Sequence, residues 1–452
     1  MHDTGSPSPP RSLDMDIETI KQRIYSVDFL RGVVMMIMLL DHTRDFVHHE
    51  ALLSDPTDLG TTSVPLFFTR WITHYCAPTF VFLSGISIYL QRLNGKTDTE
   101  LSRFLFTRGL WLIFLEFTIV RFSVVFNVDY RFFGMGQVIW VIGVSMIVMA
   151  ALIRLPLRVV GAIGLLMIVL HNVLDRFNLP PNIAFGGSES VDLTWGQSLW
   201  IILHQMGVLP LFSHGPVIFL AYPLIPWVGV MAAGWAFGVV YGWDNERRKR
   251  LLLSVGIAAT LLFVGLRLSN FYGDPEPFET RAQFVAGAAE ARAEAERAGG
   301  PPPRQAVEPQ LNEPAFTVLS FLNTQKYPPS LLYLLMTLGP ALIVLGLTDG
   351  IRGGAVWQKI AITFGRVPLF FYILQWFTAH GIAVLLSLAA GKEVAYLFMN
   401  FGDNAQAAPA DHGFSLPVVH AAWIAGLILL YPLCYWYGNY KRKNKHWLLS
   451  YL

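Results

Sequence analysis

The chain has 452 residues, of which 54% are hydrophobic and 14% charged, with a formal net charge of +2 and a mean hydropathy of +0.46. A soluble protein carries about 25% charged residues, so this composition excludes an ordinary soluble core, and so small a charge gives no argument for nucleic acid. Long apolar runs recur along the whole length, the mark of a polytopic membrane protein.

Residues 1–22 are polar and Pro/Ser-rich and read as a disordered cytoplasmic N-terminus. No apolar core arises before Phe29, so this stretch is not a signal peptide, and the first span reads as an uncleaved anchor. Residues 23–447 then read as one transmembrane domain. Windows of sufficient length predict an all-α bundle of about ten spans, at 29–47, 72–91, 104–126, 134–153, 157–174, 217–241, 250–268, 330–348, 361–390 and 416–438. The ninth is long enough to be bent or tilted. The segment "SLWIILHQMGVLPLF" at 198–212 is too short to span comfortably and reads as an interfacial or re-entrant helix, which would make an eleventh.

Alternate loops differ in charge. One set holds Lys21 and Arg23; Arg92, Lys96 and Arg103; Arg154 and Arg158; "RRKR" at 247–250; Arg352 and Lys359; and "KRKNK" at 441–445. The other set (48–71, 127–133, 175–216, 269–329 and 391–415) is long, acidic or neutral. The positive-inside rule then places both termini in the cytoplasm. The external insertion 269–329 contains "ETRAQFVAGAAEARAEAERAGG", which reads as an exposed helix stopped by Gly299, Gly300 and Pro301 to Pro303; it would be either a solvated helix or a lid over an external site. Cys76 and Cys434 lie in or beside apolar runs and read as buried thiols rather than a disulfide framework. No metal-ligand, phosphate-loop or nucleophile-elbow pattern occurs.

The first span, "LRGVVMMIMLLDHTRDFVHH", carries ionisable groups at both ends, and such groups at membrane depth usually mark a site. Arg31 and His42 are three helical turns apart on one face, about 16 Å along the axis. Asp28, Met35, Met38 and Asp45 complete that stripe. A histidine is the commonest general base near neutral pH, and a carboxylate on its other nitrogen would orient it. Asp45, at i+3, is better placed for this than the adjacent Asp41. Arginines such as Arg31 and Arg366 suit phosphate. Arg44, Lys326 and His74 are candidates for binding the acceptor. Glu116 and Arg121 are expected to pair with each other or with a neighbour. His171, His204, His214 and His420 read as structural histidines.

The blocks "RIYSVDFLRGVVMMIMLLDHTRDF", "CAPTFVFLSGISIYL", "YPLIPWVGVMAAGWAFG", "KYPPSLLYLLMTLGP" and "FGRVPLFFYIL" together resemble the bacterial branch of the heparan-α-glucosaminide N-acetyltransferase catalytic-domain family, from about Arg23 to about Trp447. The Arg31-x10-His42 spacing also resembles the signature of the acyltransferase-three family. The resemblance implies a multi-pass enzyme of the bacterial inner membrane, carrying an acetyl or acyl group from cytosolic acyl-CoA, with no metal, to an external hydroxyl or amine, a sugar or glycan. In the lysosomal member an asparagine stands where this chain has His42, and a loop histidine serves catalysis. The candidates for that histidine here are His48 and His49, so the base is His42 or one of these two, oriented by Asp41 or Asp45. Expected partners are the bilayer and a small-molecule or glycan acceptor, with a homodimer compatible and nucleic acid not expected. A proton-coupled secondary transporter using Asp41, His42, Glu116 and Arg121 is the rival reading, and a purely structural role the third.

Overall fold

The structure, a computed structural model, describes residues 24–185, 193–212, 215–297, 309–444, 446, 449 and 451. The segment 1–22, His214 and the stop at Gly299 to Pro303 lie outside them. Among the described residues, five helices are long and apolar enough to cross a membrane: Leu157–Phe177, Leu224–Gly242, Asn245–Ser269, Pro368–Ala389 and Leu416–Lys443. Leu165, Leu166, Leu261, Leu262, Ile428 and Leu429 on three of them are exposed, as lipid-facing side chains must be. The chain is a helical, multi-pass membrane protein.

The central helix is α1 (Tyr25–Val47), whose Met35 and Leu39 are fully buried. Next come α2 (Val64–Trp71), a 3-10 turn over Ile72–Tyr75, and α3 (Cys76–Leu93). A capping box of Thr97 and Glu100 starts α4 (Asp98–Leu115), which continues through a π turn at Glu116–Val120. Then follow α5 (Val138–Leu152), α6 (Leu157–Leu170), α7 (Trp195–Leu203), α8 (Leu224–Phe237) and α9 (Asn245–Ser269). The insertion holds α10 (Arg281–Arg297) and an unforeseen α11 (Glu313–Leu322). It is followed by α12 (Leu331–Leu347), α13 (Val356–Gly365), α14 (Pro368–Ala389) and α15 (Leu416–Lys443).

Three expectations need correcting. The windows opening at 134 and 217 begin as strands: β1 (Phe132–Gly136), β2 (Gly207–Pro210) and β3 (Val217–Leu220) form a small sheet in the order β1-β3-β2. A short apolar run of this kind reads alike as strand or buried helix until its partner is known. For the same reason 198–212 is helical only to Leu203, beyond which Gly207 and Pro210 lie in β2. The window 361–390 is two helices, broken at Arg366 and Val367, because Pro368 denies its predecessor the helical conformation; Val367 has φ −129° and ψ 53°.

Around α1 pack α3, α13, α14 and α15. The α1–α13 crossing is backbone against backbone: a Cβ at Gly32 would fall 1.7 Å from the Ala361 carbonyl oxygen, and one at Gly365 would fall 1.8 Å from that of Asp28. Close approach through small residues is how helices gain packing where lipid offers no hydrophobic drive. The insertion lies over α2, with Phe316 and Leu319 of α11 buried with Phe67 and Leu59.

Candidate active site

α1 and α14 run side by side, and their side chains meet at the upper end. At the lower end Arg31 Nη2 donates to Ser87 Oγ at 2.8 Å. Its Nη1 reaches the Gly365 carbonyl and Asp28 Oδ1, both at 3.3 Å. These contacts hold the guanidinium at the edge of a slot of about 350 Å³ between α3, α4, α5 and α14. Lys96 and Arg108 join Arg31 in its wall, Phe80, Leu112, Ile139, Met146 and Leu369 form its apolar part, and no Asp or Glu is among its described lining residues. Arg31 also borders a second cavity of about 1460 Å³, where Arg248 and Arg352 are matched by Asp28, Asp244, Glu246 and Asp349. Arg366 does not reach the slot; its guanidinium lies 5.7 Å from the Tyr25 ring centroid.

At the upper end the His42 imidazole packs on the Trp376 indole, with ring centroids 3.6 Å apart and planes tilted 35°. Its Nδ1 is 3.8 Å from Asp45 Oδ2. Asp41 does not serve His42. Its two oxygens take Arg70 Nη1 at 2.9 and 2.7 Å, and Oδ1 also takes Arg44 Nη2 at 2.6 Å. Arg44 Nη2 donates to Asp45 Oδ1 at 2.6 Å as well. Of the two carboxylates, the structure therefore brings only Asp45 to His42, with its side chain 45% exposed.

The loop histidines lie further out. His48 is buried and accepts from the Glu50 amide at 3.3 Å; burial, then the neighbouring His49 and Arg44, push its pKa down to about 4. His49, 49% exposed, has Nδ1 3.1 Å from the Phe414 carbonyl and Nε2 3.5 Å from Glu50.

With this geometry in view, the comparison with known families decides the kinship. The model of the heparan-alpha-glucosaminide N-acetyltransferase catalytic domain matches residues 23–272. The chain belongs to this family. No curated protein matches it. The matched stretch holds Arg31, Asp41, His42, Asp45, Arg70, Lys96 and Arg108, whereas the α14 wall of the slot lies beyond it.

The other candidates fall into place around this frame. Arg44 is engaged by both carboxylates and only 1% exposed, so it shapes the upper end from beneath. His74 is buried beside the Tyr333 ring at 5.3 Å, and the Tyr333 hydroxyl donates to the His74 carbonyl at 2.8 Å. The Lys326 ammonium lies 5.1 Å from the Tyr327 ring centroid. Burial opposes ionisation of that phenol, but the Lys326 and Arg70 cations outweigh it and lower the Tyr327 pKa. Glu116 and Arg121 do not pair with each other: Glu116 accepts from the Trp140 amide at 2.9 Å, capping α5, and Arg121 donates to the carbonyls of Asn127, Asp129 and Phe132. The expectation of a partner close by holds only in that sense. His204 meets Asp175 at 2.9 Å, His420 its own helix at Leu416 O, also 2.9 Å, and His171 packs beside His204. Ser87, Lys96, Arg108, Tyr372 and Trp376, which the structure brings to the two ends of α1, were not expected as site residues. The one available signal was the polar triplet Tyr372, Gln375 and Trp376 at helical spacing in "PLFFYILQWFTAH".

Proposed function

We propose that this member of the family is an acyl-CoA-dependent membrane acyltransferase that draws its donor from one end of α1 and its acceptor from the other. The observation that carries the reading is the slot itself. Arg31, Lys96 and Arg108 line it without a described carboxylate, which suits the phosphates of CoA, while its apolar wall suits the pantetheine and acyl chain. Charge-assisted, bidentate contacts are how guanidinium groups hold phosphate. The same helix carries His42 about three turns further on, with Asp45 on its Nδ1 side.

The acceptor, a hydroxyl or amine of a sugar or glycan, approaches from the Asp45 and Lys326 side. His42 Nε2 takes its proton while the oxygen or nitrogen attacks the thioester carbonyl carbon. The carbon–sulfur bond then breaks, and the thiol leaves with a proton passed back from the imidazolium. Asp45 orients His42 and supports its positive charge. The positive-inside pattern supports a donor on the cytoplasmic side and an acceptor outside, with both termini cytoplasmic; about ten crossings of a bacterial inner membrane complete the proposed setting. His49, Arg366, Arg44 and His74 shape the two ends without touching the reacting atoms.

The deciding experiment is thiol release from acetyl-CoA by the purified protein in nanodiscs, with a terminal α-glucosaminide as the first acceptor. Turnover that disappears in His42→Ala supports the reading; no CoA binding and no turnover in the unaltered protein overturns it.

A further inference from the structure

Gln375 is 0% exposed, and neither its amide nitrogen nor its amide oxygen has a hydrogen-bond partner. A primary amide buried with both ends unsatisfied is costly, above all in a membrane interior where no solvent substitutes for the missing partner. Among the described residues nothing meets that need. Its position on α14 points to what does. Tyr372, three residues earlier, lines the cationic slot, and Trp376, next in sequence, packs on His42 at 3.6 Å. At about 1.5 Å of rise per residue, Gln375 lies ~4.5 Å beyond Tyr372 along the helix. Along the helix axis it therefore lies between the slot-lining Tyr372 and the Trp376 that packs on His42, buried rather than among the slot's described lining residues.

We propose that Gln375 is a catalytic residue of the acyl transfer, its Nε2–H donating to the carbonyl oxygen of the donor thioester. This rests on the acyltransferase reading and deepens it. As the acceptor's lone pair bonds to the carbonyl carbon, the C=O π pair moves onto oxygen, and the amide N–H stabilises the charge that develops there. When the C=O reforms, sulfur departs with the bonding pair and takes up the proton that His42 removed from the acceptor. A fixed neutral donor in a dry site needs no reorganisation during this step. The Gln375 oxygen remains able to accept from an amide N–H of the pantetheine arm.

The test compares the unaltered protein with Gln375→Leu and Gln375→Asn. In Gln375→Leu, kcat is expected to fall about 10²–10³-fold, the cost of losing one oxyanion donor, with the KM for acetyl-CoA within about threefold. Its melting temperature should equal or exceed that of the parent, because an unsatisfied polar group has been removed. With acetyl-CoA labelled at the carbonyl carbon, the bound C=O stretch should move to higher frequency in Gln375→Leu, and Gln375→Asn should recover part of the shift. A Leu variant that keeps its kcat and C=O frequency while the parent turns over overturns the role of Gln375 and leaves the acyltransferase reading standing. A Leu variant that melts well below the parent, with Asn restoring stability but not the C=O frequency, makes Gln375 a packing residue. A parent that neither binds nor turns over acetyl-CoA removes both.

Discussion

At its Arg31 end α1 borders a slot whose cations, Arg31, Lys96 and Arg108, share their described lining with no carboxylate, although Arg31 also touches Asp28 at 3.3 Å. At its His42 end two carboxylates and two arginines lock together at 2.6 to 2.9 Å. Both ends contain arginines within the same helix bundle, yet their uses differ. Where cations face a cavity, a ligand's anions can complete them. Where they are already matched, they build a platform beneath the stacked rings of His42 and Trp376, the groups to which the proposed chemistry falls. Buried charge is thus no measure of function by itself; whether the cations line a cavity or are closed into an ion network is what separates the two cases.

This contrast can be broken by substitution. The largest effect is expected for His42→Ala, a loss of about 10²–10⁴-fold in kcat, the usual contribution of a general base, with folding intact; thiol release and thermal melting together check it. Asp41→Ala should act oppositely, leaving the half-buried Arg70 without its carboxylate and Arg44 with Asp45 alone. Breaking a buried pair in this way costs about 3–5 kcal/mol, read as a drop in melting temperature, and activity should fall only as the folded fraction falls. A variant that melts normally would show the platform to be dispensable.

At the other end, Lys96→Ala and Arg108→Ala should each weaken CoA binding about 10-fold or more, since hydrogen bonds to charged groups contribute about 1.5–3 kcal/mol, with little change in melting. Arg352→Ala, in the larger cavity where acids match the bases, should change the affinity less than about threefold. Equal losses in calorimetric titration would move the donor into that larger cavity. The smallest effect concerns His48. Its folded pKa of about 4 lies below the ordinary value of about 6.5, so below pH 6.5 the unfolded chain takes up a proton that the folded chain refuses until about pH 4. Stability is therefore full above pH 6.5 and declines as pH falls from there toward 4. His48→Gln should flatten that part of the melting profile.

Much of this was legible in the chain before folding. The helix α1, its Arg31–His42 face and the preference for Asp45 over Asp41 follow from a periodicity of 3.6 residues, which is local and needs no partner. The apolar windows found the long helices because hydropathy integrates over a whole span. They failed where single residues decide, at Pro368 and in the strands at Phe132 and Val217. The family resemblance rested on the same local blocks, and the match over 23–272, which covers the first three of them, bears out the family.

What the chain could not disclose is pairing across long separations. Asp41 meets Arg70, 29 positions away, and Arg31 meets Ser87, 56 away. His42 packs on Trp376 from the far end of the sequence, and Lys96 and Arg108 join Arg31 only when α3 and α4 close on α14. Local periodicity determined which residues share a face, because backbone geometry alone sets it. Only tertiary packing decided which cations would be closed into an ion network and which would line a cavity, because that depends on what the neighbouring helices bring.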